Sequence, residues 1–237
     1  MTTEDCRNHI KQNLEKVRND LIAVHADNTK LIAVSKTFPS EYVRIAYEFK
    51  QYDFGENKVK DLLDKADELA GDEFKHLNWH FIGHLQTNKV KDLLKVPRLK
   101  SIHSIDSVKL INELHKYKDK VVTPIDLFLQ INTSNENEKS GFDLADLRNI
   151  TDALKLAKKY PDKFKLKGLM TIGKIRSDNY LKDAKICFHK LINLKKELDQ
   201  EFNVSLELSF GMSQDYLEAV KLGSNYIRIG TSIFGSR

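Results

Sequence analysis

Residues 31–38 read LIAVSKTF. Four apolar residues in a row, Leu31 to Val34, mark a strand buried on both faces, as in a parallel sheet, and Lys36 falls where that strand runs out. A lysine at such a place has three courses. It reaches solvent along its aliphatic stem, pairs with an acid, or gives up its proton and becomes the nucleophile of Schiff-base chemistry. The stretch alone leaves all three open, so the pattern around it has to be read.

Outward from it the same phrase recurs. Before it, Ile10, Leu14, Val17, Leu21 and Val24 at steps of three and four predict an N-terminal helix. After it, Pro39 stands where a helix can begin, and Val43, Ala46, Tyr47 and Phe49 supply its apolar side. Further strands are expected at YDFGEN (52–57), NWHFIGH (78–84), SIHSID (101–106), IDLFLQIN (125–132), KLKGLMTIG (165–173), LELSFGM (206–212) and NYIRIGTSIFG (225–235), the last ending the protein. Helical segments separate them, among them 144–160, stopped by Pro161, then 178–202, and 214–222, closed by Gly223. A polar loop, TSNENEKSG (133–141), follows the fifth strand. Eight strand-and-helix units without a compositional break fit one domain, residues 1–237, folded as a closed α/β barrel of the (β/α)8 TIM type, for which about 250 residues is usual. An open doubly wound sheet is disfavoured, because no GxGxxG turn follows the first strand.

Composition narrows the function classes. Hydrophobic residues make up 41% and charged residues 31%, the balance of an ordinary globular protein. The net charge of +5 comes from 39 basic and 34 acidic residues scattered over the expected helices, with no basic run interleaved with aromatics, so a nucleic-acid partner is not expected. No apolar run approaches the roughly 18 residues that cross a bilayer, and the N-terminal MTTEDCRNHIKQ has no signal-like core. A cytoplasmic protein without a membrane partner is therefore expected. Cys6 and Cys187 lack metal or redox spacing, and His80 and His84, on a strand rather than a helix, read as structural, so no metal site is expected.

In a (β/α)8 barrel the chemistry lies at the C-terminal strand ends. Those ends here carry Lys36; Glu56 and Asn57; His84; Ser104 and Asp106; Asn132; Met170 and Thr171; Ser209, Gly211, Met212 and Ser213; and Arg228, Gly230 and Thr231. The SFGMS turn before a helix start, with RIGTS on the next strand, has the glycines and hydroxyls of a phosphate cradle, and also those of a plain serine-capped turn. In a closed barrel the last strand pairs with the first. A reactive lysine would then lie beside that cradle, an arrangement suited to an aldehyde with a phosphate tail, the form of pyridoxal 5'-phosphate.

Together LIAVSKTFP, FGEN, WHFIGHLQTNK, SIHSIDS, INTSNENEKSGF, GLMTIG and ELSFGMSQDYLEAVKLGSNYIRIGTSIFG resemble the YggS/PROSC family of pyridoxal-phosphate homeostasis proteins, from the first strand to the C-terminus. The resemblance implies a barrel of the alanine-racemase N-terminal-domain type, here with an extra N-terminal helix, that holds pyridoxal 5'-phosphate as an imine. It makes Lys36 the imine lysine, and Ser209, Gly211, Ser213, Gly230 and Thr231 the phosphate contacts. Arg228 would face the pyridine nitrogen and Asn57 would lie near the ring, and Met170 and Met212 complete the expected cofactor-binding set. Lys58, where the family often has an aromatic residue, and Phe210, where methionine is commoner, depart from the pattern.

The function implied is a monomeric carrier that stores the cofactor reversibly and supplies it to apoenzymes without turnover of its own. A guanidinium only donates, so it would leave the ring nitrogen unprotonated, a weak electron sink unsuited to transaminase-like chemistry. The alternative is an amino-acid racemase of the same barrel type. Racemases of that type add a β-rich second domain with a second base, whereas the barrel expected here uses the whole chain. Glu56 is left as either an acid/base group or a buried pairing charge, and His84 has no assigned role.

Overall fold

A computed structural model of the protein describes residues 3–134, 140–174 and 177–236. In chain order the main elements are α1 (Thr3–Ala23), β1 (Lys30–Val34), α2 (Ser40–Glu48), β2 (Asp53–Glu56), α3 (Val59–Glu68), β3 (Asn78–Phe81), α4 (Val90–Leu93), β4 (Leu99–Ile105) and α5 (Val108–Lys116). They continue with β5 (Ile125–Asn132), β6 (Phe142–Asp143), α6 (Leu147–Ala157), β7 (Phe164–Met170), α7 (Tyr180–Phe202), β8 (Glu207–Ser209), α8 (Tyr216–Lys221), β9 (Tyr226–Ile229) and α9 (Thr231–Phe234). All the pairings are parallel and run β1–β2–β3–β4–β5–β7–β8–β9 back to β1, a closed eight-stranded ring. The expected (β/α)8 barrel is thus the fold, with α1 as the extra helix.

Strand side chains alternate between two cores. Inside the ring, Ile32, Phe128, Met170 and Tyr226 form a small apolar plug. Outside it, neighbours such as Ala33, Phe54, Trp79 and Phe81 pack against the helices in a much larger cluster. The helices sit where their starts are fixed: Ser107 accepts from Leu110 N at 3.3 Å to cap α5, and Asp146 accepts from Asn149 N at 3.0 Å to cap α6. Helix α1 lies across the seam between first and last strands. Asn13 donates to Ile233 O at 3.0 Å, Arg18 to Phe49 O at 2.7 Å, and Tyr216 to Asp20 at 2.6 Å.

Several expected elements are shorter or different. The segment read as a last strand to Gly235 leaves the ladder at Ile229 and coils into α9, with Ile233 N and Phe234 N both donating to Gly230 O. The strand expected through Met212 stops at Ser209, because Gly211 has φ +98, a conformation that breaks the ladder. A Cβ there would also come within 2.5 Å of Ala219 Cβ. In the polar loop after β5, residues 135–139 lie outside the described residues, and Phe142–Asp143 adds a short strand, β6, beside Ile131 and Asn132.

Candidate functional site

At the C-terminal end of the ring opens a cavity of about 880 Å³. Its lining includes Val34 and Lys36 after β1, Asn57 after β2, and Gly83 and His84 after β3. Gln130 and Asn132 line it from β5, Tyr180 from α7, Met212 and Ser213 after β8, and Arg228, Gly230 and Thr231 from β9 and its end. Of the expected cofactor set, Lys36, Asn57, Met212, Ser213, Arg228, Gly230 and Thr231 therefore share one cavity. Met170, Ser209 and Gly211 do not line it: Met170 belongs to the apolar plug inside the barrel, Ser209 lies under Arg228, and Gly211 is turned against Ala219. Gly83 is there for fit, since a Cβ would come within 2.1 Å of the Asn57 carbonyl oxygen.

Arg228 is held from inside the barrel. One guanidinium nitrogen donates to Ser209 Oγ at 2.7 Å and the other to Thr171 O at 3.0 Å. Ser209 Oγ also pairs with His103 Nδ1, 2.9 Å away, while His103 Nε2 is buried with no partner among the described residues. Burial, then His80 and Arg228, push the His103 pKa well below the ordinary histidine value. Its ring stacks on Phe128 at 4.2 Å between centroids. A second inward pair lies alongside, His80 donating or accepting at Ser101 Oγ (2.6 Å) and Asp53 (2.8 Å). Burial lowers the His80 pKa despite that carboxylate. Burial likewise lowers the Arg228 pKa to about 10, against the pull of Asp215 and Tyr180, so the guanidinium is still charged at neutral pH.

Lys36 is held from outside the barrel, through the residue before it. Ser35 N donates to Gly55 O at 3.0 Å, and Ser35 O accepts from Phe38 N at 3.1 Å and from Lys65 Nζ at 2.8 Å. Ser35 Oγ donates to Glu56 Oε1 at 2.8 Å, and the same oxygen pairs with Lys65. Glu56 is fully buried, which places it as a pairing charge in the strand–helix layer. Thr37, next in the turn, has φ +71, a strained value for a β-branched residue.

The last two strand-end loops are tied together, as Ser232 N donates to Ser213 Oγ and Ser232 Oγ to Ser213 O, each at 3.4 Å. Tyr180 donates to the buried Asp215 at 2.9 Å, and burial with that carboxylate raises its pKa. At the rim His84 Nδ1 lies 2.8 Å from Asp106. Among the described residues no group of three or more acidic, histidine or cysteine side chains could hold a metal.

A model of the alanine racemase N-terminal domain family matches residues 6–237. The pyridoxal phosphate homeostasis protein of Schizosaccharomyces pombe is 37% identical over 238 residues, covering 100% of this chain and 93% of that protein. This chain belongs to the pyridoxal phosphate homeostasis protein family. PipY of Synechococcus elongatus, solved with pyridoxal phosphate bound, superposes with a TM-score of 0.81 at 32% identity, over 95% of this chain and 100% of that one. Alanine racemase of Clostridium difficile superposes with a TM-score of 0.71, over 97% of this chain and 57% of that one. At 14% identity that likeness speaks for the barrel alone.

The cavity suits the pyridoxal phosphate found in PipY. It offers an amine, a guanidinium, hydroxyls on two tied loops and, among its described lining residues, no Asp or Glu to repel an anion. Tyr180 and Gln130 also line it but were not among the expected residues. Gln130 could have been read from its register, two residues before Asn132 on the same face of β5. Tyr180, at the start of α7, follows the strand-end rule only when the whole loop after β7 is counted.

Proposed function

We propose that this protein binds pyridoxal 5'-phosphate in the cavity at the barrel mouth, holds it as a reversible Schiff base on Lys36, and supplies it to apoenzymes within vitamin B6 homeostasis. It does so as a single barrel domain, monomeric and cytoplasmic, without turning over a substrate. The observation that carries this reading is that Lys36 and Arg228 line one cavity free of acidic groups among its described residues. When bound, the cofactor supplies an aldehyde that condenses with an amine and loses water, a step that reverses on hydrolysis.

The chain's own residues do the rest. Ser213, Gly230 and Thr231, on the two tied loops, are suited to a phosphate. Arg228 offers only donors, so a ring nitrogen it meets stays unprotonated. Asn57, set by the close approach of Gly83, and Met212 line the cavity and would border the ring. Ser209, Gly211 and Met170 act from below: Ser209 holds Arg228, Gly211 shapes the turn that presents Met212 and Ser213, and Met170 seals the floor.

Purified protein should show an absorbance band near the visible edge, and borohydride should fix the cofactor on the peptide containing Lys36. Lys36→Ala should abolish both. A band and a label that survive the substitution remove Lys36 from this role. The family match to the alanine racemase N-terminal domain keeps a racemase in view. Alanine racemisation by the loaded protein is expected at the uncatalysed level, and robust turnover would replace the carrier by an enzyme.

A further inference from the structure

The layer between strands and helices is apolar almost throughout, with Ala33 and Phe54 of the strands and Val59, Leu62 and Ala66 of α3 among its buried members. In that layer sit a carboxylate and an ammonium. The side chains of Lys65 and Glu56 are 9% and 0% exposed, and among the described residues no other lysine or arginine ion pair has both partners under a tenth exposed. Apolar side chains of similar volume fill such a place at no loss of stability, so cohesion alone does not account for the pair.

What distinguishes the pair is where it reaches. Lys65 donates to the carbonyl of Ser35, and Glu56 accepts from the hydroxyl of the same residue. Glu56 Oε1 makes both of that acid's contacts, while Oε2 is buried with no partner among the described residues. With Ser35 N bonded to Gly55, every polar atom of Ser35 is gripped. The next residue is Lys36, and the one after it, Thr37, is in the left-handed region. Phe38 completes the turn by packing on Phe234 of α9 at 5.5 Å between ring centroids.

We propose that Glu56 and Lys65 are positioning residues for Lys36: their buried ion pair clamps Ser35 and so fixes the direction in which the lysine leaves β1 for the cavity. The clamp acts from the helix side of the sheet and touches no ligand. It rests on the reading that Lys36 bears the cofactor only for its biological meaning. The physical claim, that the pair orients this lysine, stands without it.

The test separates orientation from stability. Glu56→Leu/Lys65→Met replaces the pair by apolar side chains and should melt within a few degrees of the parent. Its affinity for pyridoxal phosphate should nevertheless fall at least ten-fold, with slower trapping by borohydride. Ser35→Ala, which leaves the pair intact and removes only the hydroxyl link, should weaken binding by two- to five-fold. It serves as the deciding variant if the double one fails to fold.

A second readout uses ligand-free protein. After reductive methylation with 13C-formaldehyde, the Lys36 resonance, assigned by Lys36→Ala, should be set apart from exposed lysines in the parent. In both variants it should move toward them. A folded variant with the parent's Lys36 resonance overturns the proposal, whatever the affinity. If Lys36→Ala leaves the parent's cofactor band in place, the reading of Lys36 as the cofactor lysine fails instead, and the resonance still decides the clamp.

Discussion

The two cations of the cavity are supported in opposite ways. Arg228 is held from inside the ring by a chain of neutral groups, Ser209 and then His103, acting directly on its guanidinium. Lys36 is held from outside the ring by a full ion pair, acting on the backbone of the residue before it. A guanidinium never changes its charge and can be fastened at its tip. A lysine that forms and releases a bond, as proposed for Lys36, is better fixed at its root. The difference teaches that the lysine is steadied by an ion pair acting on its backbone neighbour from the helix side of the sheet, while the arginine is held at its own guanidinium by a hydroxyl and a carbonyl.

The comparison breaks first at Lys65. Lys65→Met alone should cost about 3–5 kcal/mol, because Glu56 would remain buried without its counter-charge. For a chain of this size that is a fall in melting temperature of roughly 6–20 °C. Adding Glu56→Leu should restore most of it, since the double variant leaves no orphaned charge. A single variant that melts with the parent would mean that the pair is not the buried charge described, and the contrast between the two supports would go.

The smaller effect belongs to the inner chain. Ser209→Ala removes the acceptor for one Arg228 nitrogen and the partner of His103 Nδ1, and should cost about 1–3 kcal/mol in urea unfolding. The loss is less than at Lys65 because Arg228 keeps the Thr171 carbonyl. A loss as large as that of Lys65→Met would put the two supports on an equal footing and remove the distinction.

The barrel was legible because its signals are local and repeated. Runs such as Leu31 to Val34 and Ile125 to Asn132 announce two-sided burial, and the strand-end rule then leads to Lys36 and Arg228 without any contact being known. What was hidden depends on which way single residues face. Ser209 stands at a strand end as expected, yet the ladder stops there, and the left-handed Gly211 carries Met212 and Ser213 to the cavity in its place. The β-branched run from Ile227 to Ile233 reads as one strand, but Gly230 accepts the two amides that start α9. Lys65 did leave a trace: it lies three residues after Leu62 and four before Leu69, on the apolar stripe of α3. Among so many charged neighbours on that helix, spacing alone does not mark one lysine as buried.

The mildest test of the contrast is pH. His80 and His103 are buried and their pKa values are lowered, burial being the first cause for each, while an unfolded chain would protonate both near pH 6.5. Above that pH neither state binds the proton and stability does not change on their account. Below it the unfolded chain takes up protons that the folded barrel refuses, so stability falls, by up to about 1.4 kcal/mol per pH unit for each histidine, until the folded-state pKa is passed. The groups facing them are Asp53, Asp126, Lys30 and Arg228, and burial outweighs the carboxylates. Urea midpoints should therefore be flat above pH 7 and decline between pH 6.5 and 5. His103→Asn keeps a hydrogen-bonding group for Ser209 without a titrating one and should make the slope shallower, the remainder coming from His80 and from His115, whose pKa burial also lowers. The outer support contains no histidine among its contacts, so the decline should be unchanged in Glu56→Leu/Lys65→Met. A slope that vanished in that double variant instead would mean that the acid sensitivity lies in the ion pair, and that the inner chain is not the neutral support drawn from its hydrogen bonds.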